Sequence, residues 1–277
     1  MSTSYFEPVE PVEPVGAGGT PATQRFDAHE HCTGPWSADA MHGGPPSALL
    51  VRACEQVVAA AGGTGLLAVR TAVDFLAPVP VGQVEVTARV VRPGRRVALA
   101  EATLSAGGRD VLVARTWLLA VADPPVALPD DVTEAGVTLP EPELCPPVGG
   151  DRWDFPYGRS IDWRVVGGTH GRGDATVWGR ARLPLVAGEE PSGLQRAVLV
   201  ADSSSGVSAG LDWDEWQFVN VDLTVHLTRP LAGDWVCLDA HSRYASAGTG
   251  LARSTLHDTL GVVGSSAQSL VVAPMRR

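Results

Sequence analysis

Three side chains of this sequence invite chemistry because of what stands in their place elsewhere in the same chain. Sliding the sequence by 152 residues lays Val225-His226-Leu227-Thr228-Arg229-Pro230 on Val73-Asp74-Phe75-Leu76-Ala77-Pro78, and the stretch from Leu251 to Leu256 on that from Leu99 to Leu104, without a gap. At the same offset Asp202 falls on Leu50, Asn220 on Ala68 and Gln268 on Thr116. A carboxylate on an apolar helix is costly unless it is hydrogen-bonded. Two amides converging on it would supply the donors, and such a group can hold one water, with the carboxylate as general base and the amides aiming the water. The plainer alternative, that Asp202 only ends a helix beside a Ser-rich loop, stays open at this level.

The elements that would carry these residues repeat with the same spacing. Ser47 to Ala61 reads as a helix with a largely apolar circumference, hence buried, and Gly62-Gly63 stops it. Leu67 to Phe75, Gln83 to Val91, Val97 to Ser105 and Val111 to Val121 alternate apolar and polar residues between Pro- and Gly-rich turns, the pattern of an antiparallel meander. In the second half, Thr176 to Leu183 is an early strand and Gly193 to Asp202 a helix. Phe218 to Leu227, Trp235 to Ser242, Gly250 to Asp258 and Val262 to Val272 follow as strands. The expectation is an α+β protein of two tandem domains, each an antiparallel sheet wrapped around a helix, over residues 24–121 and 159–277, with the sheets joined along their edges. Residues 1–23, rich in Pro, Glu and Gly, read as a disordered tail, and 122–158, rich in Pro and acidic residues, as a linker. Two copies of one domain pack about a pseudo-twofold axis, so their seam forms a composite cleft.

Composition narrows the function classes. A net charge of −10 without a basic stripe or tail argues against nucleic-acid binding. The four scattered cysteines form no CxxC pair, so neither a zinc motif nor a disulfide scaffold is expected, and a reducing, cytoplasmic setting is. No signal peptide and no membrane span stand out in the sequence.

Several motifs compete. Gly206-Val207-Ser208-Ala209-Gly210 matches G-x-S-x-G, but a nucleophile elbow needs a strand before it and a helix after it, and here a helical stretch precedes. His29 and His31 would share one face of a strand and could bind a metal, yet no second ligand cluster accompanies them, so no metal is expected. Arg92, Arg95 and Arg96 at a strand turn could meet phosphates through their guanidinium forks, against the simpler reading of a solvated turn. Trp153, Trp163, Trp178, Trp213, Trp216 and Trp235 crowd the second half, as core, subunit contact or ligand platform.

Three segments give the chain a resemblance to the double-hotdog acyl-CoA thioesterases of the acyl-CoA thioesterase II kind. Trp36 to Gly44, leading through Pro45-Pro46 into Ser47 to Leu50, resembles the family's His-Gly-Gly approach to its helix. Val221-Asp222-Leu223-Thr224, running to Thr228-Arg229-Pro230, is similar to its strand ending in Arg-Pro, and Ser265-Ser266-Ala267-Gln268 to the strand carrying its catalytic Gln. The resemblance spans roughly residues 24–277. It implies a double hotdog fold and hydrolysis of an acyl-CoA thioester by direct attack of water held by Asp202, Asn220 and Gln268, with Asn220 standing where the family has Thr. An amide can donate to water or a carboxylate but lacks a hydroxyl's chemistry. CoA enters as part of the substrate and no bound cofactor is implied.

The oxyanion of such a reaction needs preorganised N–H donors, and the N-terminus of the first helix is a source. His42, Gly43 and Gly44 are accordingly the expected substrate-binding residues. Pro45 and Pro46 lack N–H groups, which leaves Gly44 or a residue beyond Pro46 as donor, unless the glycines only shape a turn. A hydratase or dehydratase on the same fold, using His42, and a non-catalytic acyl-ligand binder are the alternatives. Because hotdog sheet edges commonly assemble further, a homo-oligomer is expected.

Overall fold

The computed structural model describes residues 3–10, 22–129 and 137–275. Strands β1 (Phe6–Pro8) and β2 (Ala22–Ala28) lead through a 3-10 turn at Glu30–Cys32 to helix α1 (Gly44–Ala60). The meander β3 (Leu66–Phe75), β4 (Gln83–Arg92), β5 (Val97–Ala106) and β6 (Arg109–Ala120) follows. A connecting segment carries 3-10 turns at Pro142–Leu144 and Asp151–Trp153 and the short helix α2 (Pro156–Ser160). The second copy runs through β7 (Ile161–Gly168), β8 (Ala175–Ala181), α3 (Gly193–Ala201), α4 (Ser204–Val207), β9 (Trp216–Asn220), β10 (Asp222–Leu227), β11 (Val236–Ala245), β12 (Thr249–Asp258) and β13 (Gly261–Pro274).

All these strands join one 13-stranded sheet in the order β1-β2-β4-β5-β6-β3-β10-β13-β12-β11-β8-β7, with β9 paired to β13. The period-2 pattern decides the faces. Along β5, Ala98, Ala100, Ala102 and Leu104 are buried toward α1, while the residues between them are not. Helix α1 packs on β4, β5 and β6, α3 on β8, β10 and β11, and the two helices pack on each other.

The copies meet at β3 and β10, as an edge-to-edge junction requires. Ala72 pairs there with Thr224, its own counterpart at the offset of 152, so the pseudo-twofold axis passes through this pair. Tyr5 and Tyr157 are likewise 152 residues apart in sequence, and their ring centroids are 6.5 Å apart in space. The repeat thus starts earlier than residue 24.

That corrects the expected tail over residues 3–10. Phe6–Pro8 pairs with β2, Tyr5 N–H and Phe6 N–H donate to Pro184 O and Leu185 O of the second copy, and the side chains of Tyr5 and Phe6 are fully buried. The Pro/Glu-rich stretch after Pro8 masks two large apolar residues before it. Residues 11–21 lie outside the described residues. The end of the expected linker is also part of the packed structure, since Trp153 and Tyr157 are buried; residues 130–136 lie outside the described residues.

Two irregularities position the polar residues. Helix α1 runs unbroken past Leu50, whereas the second copy breaks into α3 and α4 at Asp202. A continuing helix would send Ser205 N–H to Ala201 O. That carbonyl instead accepts from Ser204 Oγ at 2.6 Å, and Ser205 N–H donates to Gln268 Oε1 at 3.2 Å. The expected strand Phe218–Leu227 is likewise two strands. Between Asn220 and Thr224 the register against β13 gains one residue, a β-bulge at Val221. Without it, the alternation that points Leu223, Val225 and Leu227 inward would turn Asn220 outward. The first copy carries the same shift between Ala68 and Arg70, around Val69, the counterpart of Val221, so the bulge belongs to the fold.

Candidate active site

Asp202, Asn220 and Gln268 converge. Asp202 caps the C-terminus of α3 and is 4% exposed. Its Oδ1 accepts from Asn220 Nδ2 at 2.9 Å and from Gln268 Nε2 at 3.1 Å. Gln268 Nε2 also donates to Asp202 O at 3.0 Å, while its Oε1 accepts from Ser205 N–H. Gln268 is fully buried and does not line the cleft beside the carboxylate. It contacts Asp202 from outside the cleft lining. Asn220 does line the cleft. Its Nδ2 donates to Asp202 Oδ1 and to Asp222 O at 3.3 Å, which fixes the amide orientation and leaves its Oδ1 as the acceptor.

The first copy supplies the opposite wall. His42 Nδ1 stands 3.1 Å from Asp202 Oδ2 and 3.1 Å from Gly44 N. The ring stacks on Tyr157 at 3.8 Å with 9° between planes. Tyr157 is held in turn by donating from Oη to Leu199 O at 2.6 Å. Burial pushes the His42 pKa down against the pull of the Asp202 charge, so the ring is neutral at neutral pH. One nitrogen cannot donate to Asp202 and accept from Gly44 N–H at once. The contact with Asp202 assigns the proton to Nδ1, and with that tautomer Gly44 N–H has no bond to the ring.

Gly43 and Gly44 have ordinary helical backbone, and space dictates their identity. A Cβ on Gly43 would lie 2.6 Å from the Phe75 ring and 2.7 Å from Asp202 Oδ2; one on Gly44 would lie 2.3 Å from Leu199 O. Of the expected oxyanion donors beyond the prolines, Ser47 N–H is taken by Gly43 O at 3.1 Å. Among the described residues Gly43 N–H has no protein acceptor, and Gly43 lines the cleft.

The cleft holds about 450 Å³ and is walled by Trp36, Phe75, Trp153, Phe155, Trp213 and Phe218, with His42, Gly43, Asp202 and Asn220 at its polar end. The tryptophan crowding thus divides: Trp153 and Trp213 line the cleft, while Trp178 and Trp235 belong to a separate buried cluster with Cys145 and Cys237. Tyr157 and Phe75 are the contributors that sequence reasoning missed; the match of Tyr157 to Tyr5 at the offset was the available signal.

The competing motifs are elsewhere. Ser208 is buried, with Oγ bound to Ser204 O and Ser242 Oγ at 2.7 Å each, so G-x-S-x-G holds no exposed nucleophile. His29 precedes the 3-10 turn at Glu30–Cys32 and His31 lies within it, so they do not share a strand face; no group of three metal-ligating residues gathers among the described residues. Arg92, Arg95 and Arg96 are exposed and do not line the cleft. No helix among the described residues is long and apolar enough to cross a membrane.

A continuous antiparallel sheet carrying a helix in each half, with a carboxylate cleft at the seam, defines a double-hotdog protein. Residues 32–119 match the acyl-CoA thioesterase N-terminal domain and residues 136–272 the acyl-CoA thioesterase C-terminal domain. The chain belongs to the acyl-CoA thioesterase family and is a thioester hydrolase. None of the curated protein sequences matches it. Among solved structures it is similar in fold to a thioesterase II candidate from Thermobifida fusca YX (TM-score 0.73, 21% identity, 97% of this chain and 96% of that one). It is similar also to the acyl-CoA thioesterase II TesB2 of Mycobacterium marinum (TM-score 0.63, 15% identity, 91% and 93%).

Proposed function

We propose that this chain hydrolyses acyl-CoA to a free acid and CoA by direct attack of a water activated by Asp202. The observation that carries the reading is the Asp202 carboxylate, oriented by Gln268 and Asn220 through Oδ1 and standing on the wall of an apolar cleft. A water there donates one hydrogen to the carboxylate and the other to Asn220 Oδ1, with its lone pair toward the thioester carbon. The C–O bond forms as the proton moves to Asp202. The oxyanion is met by Gly43 N–H at the N-terminus of α1, where the helix dipole favours negative charge. Collapse breaks the C–S bond. A thiol of ordinary pKa, about 8.5, leaves readily as thiolate and takes the proton back from Asp202. Neutral His42 holds Oδ2 throughout. Protein groups, water and substrate account for every step, so no cofactor enters.

The test is thiol release from a panel of acyl-CoAs by wild type and Asp202→Asn. Loss of about 10²- to 10⁴-fold in kcat in the mutant, with acyl-CoA still bound, is expected. Equal turnover by the two proteins would remove Asp202 as the base. The His42–Asp202 contact is also one that acid–base hydration could use. A hydratase would consume an enoyl-CoA without releasing thiol, so the same assay separates the two.

A further inference from the structure

The internal repeat serves as its own control for what the cleft is built to hold. Trp36 and Phe75 come from the first copy, Trp213 and Phe218 from the second, and Trp153 and Phe155 from the segment between them. At the offset of 152 the counterparts of Trp36, Phe75, Trp213 and Phe218 are Gly188, Leu227, Ala61 and Leu66. The mirrored half of the molecule thus builds the same fold with no ring at any of these positions. The hollows touching mirrored positions, at Gln195 (counterpart of Gly43) and Ala61 (counterpart of Trp213), hold only about 20 and 80 Å³. The rings are therefore not what a hotdog half needs for packing. They occur on the side that carries the carboxylate.

The rings pack on one another. Trp36 lies nearly parallel to Trp213, with centroids 5.5 Å apart and 19° between planes. Phe218 stands edge-on to both, at 5.1 and 5.5 Å. Trp153 closes on Trp213 at 6.2 Å and on Phe155 at 5.9 Å. Phe75 reaches the polar end, where its ring bounds the space beside Gly43 and Asp202. An occupant of this cleft meets the Phe75 ring beside Gly43 and Asp202, and the other rings along the rest of the wall. A planar ring gains attraction from each aromatic partner beyond the burial of its area, which a flexible alkyl chain of equal size does not. An alkyl chain also loses rotamer freedom on binding that a ring does not have.

We infer that the acyl group of the substrate is aromatic, with the ring directly on, or one carbon from, the thioester carbonyl. The inference rests on the hydrolase reading for its turnover test and on the cleft alone for its binding test. Phenylacetyl-CoA and octanoyl-CoA carry the same number of acyl carbons and make the comparison. Wild type is expected to show kcat/KM at least about tenfold higher for phenylacetyl-CoA, the sum of one or two ring contacts. In Trp36→Leu and Trp213→Leu, checked for folding by thermal unfolding, the ratio should fall toward one. Octanoyl-CoA equal or better in wild type, or a ratio unchanged in both variants, overturns the inference. Should no thioester be turned over, the hydrolase reading fails separately. The ring preference is still decided by the Kd values of the two thioesters for Asp202→Asn, read by tryptophan fluorescence, and tighter binding of octanoyl-CoA overturns it there too.

Discussion

His42 Nδ1 lies 3.1 Å from Asp202 Oδ2, and the two residues belong to opposite copies of the repeat. The carboxylate is thus oriented from its own copy through Oδ1 and from the other copy through Oδ2, so that only the docked pair of domains completes it.

If the contribution of His42 is one N–H to that carboxylate, an amide in its place restores part of it. His42→Ala is expected to lower kcat about 10- to 100-fold, and His42→Asn, which places a donor at a similar distance from Cα, to recover about tenfold of that loss. Equal rates for the two variants in the thiol-release assay would mean that the ring acts through its packing on Tyr157 instead.

Gln268 makes three buried hydrogen bonds, to Asp202 O, Asp202 Oδ1 and Ser205 N–H. Gln268→Ala strands these groups away from water, at about 1–3 kcal/mol for each that stays unsatisfied. The variant is expected to lose at least about 2 kcal/mol in urea unfolding and to lose turnover as well, because the break between α3 and α4 depends on the same side chain. Undiminished stability would mean that water replaces the amide.

The two helices approach tightly at Gly44, where an added Cβ would lie 2.3 Å from Leu199 O. The obstacle is backbone and cannot swing aside, so Gly44→Ala is expected to cost about 1–3 kcal/mol or more and to open the α1–α3 contact. Gly43→Ala meets a side chain, Phe75, and should cost less stability than activity. Comparing thermal unfolding with turnover for the two variants checks this division.

Acidification across the histidine range should weaken the fold. Burial lowers the His170 pKa from 6.5 to about 4 and lowers that of His42 too. Between those values the unfolded chain binds protons that the folded one refuses, so stability rises with pH across the interval and is lost as pH falls from 6.5 toward 4. Urea midpoints at pH 7 and pH 5 should differ, and His170→Gln should make the dependence shallower. A midpoint equally pH-dependent in the variant would exclude His170 as a source.

Much of the fold was legible because its signals are local or repeated. Period-2 alternation in β3 to β6 and in β11 to β13 reports one buried face, and the offset of 152 ties the halves together element by element. The same offset marked Asp202, Asn220 and Gln268, since a carboxylate and two amides that the other copy replaces with Leu50, Ala68 and the hydroxyl of Thr116 stand out without any structure. What stayed hidden depends on geometry that no short stretch encodes. The bulge at Val221 turns Asn220 inward by one extra residue in a strand whose composition is ordinary. The strand at Phe6–Pro8 gains its place from partners in both copies, and its Pro/Glu-rich surroundings mask it.

The sequence by itself determined which groups could react, because side-chain chemistry and the repeat are written in it directly. Only the tertiary structure decided what each group does. Gln268 came within hydrogen-bond distance of Asp202 through the break between α3 and α4, His42 became a partner of Asp202 when the copies docked, and rings from four separate stretches became one wall. Hydrogen-bond saturation and van der Waals contact are properties of distance, and those distances are set by how the two copies pack.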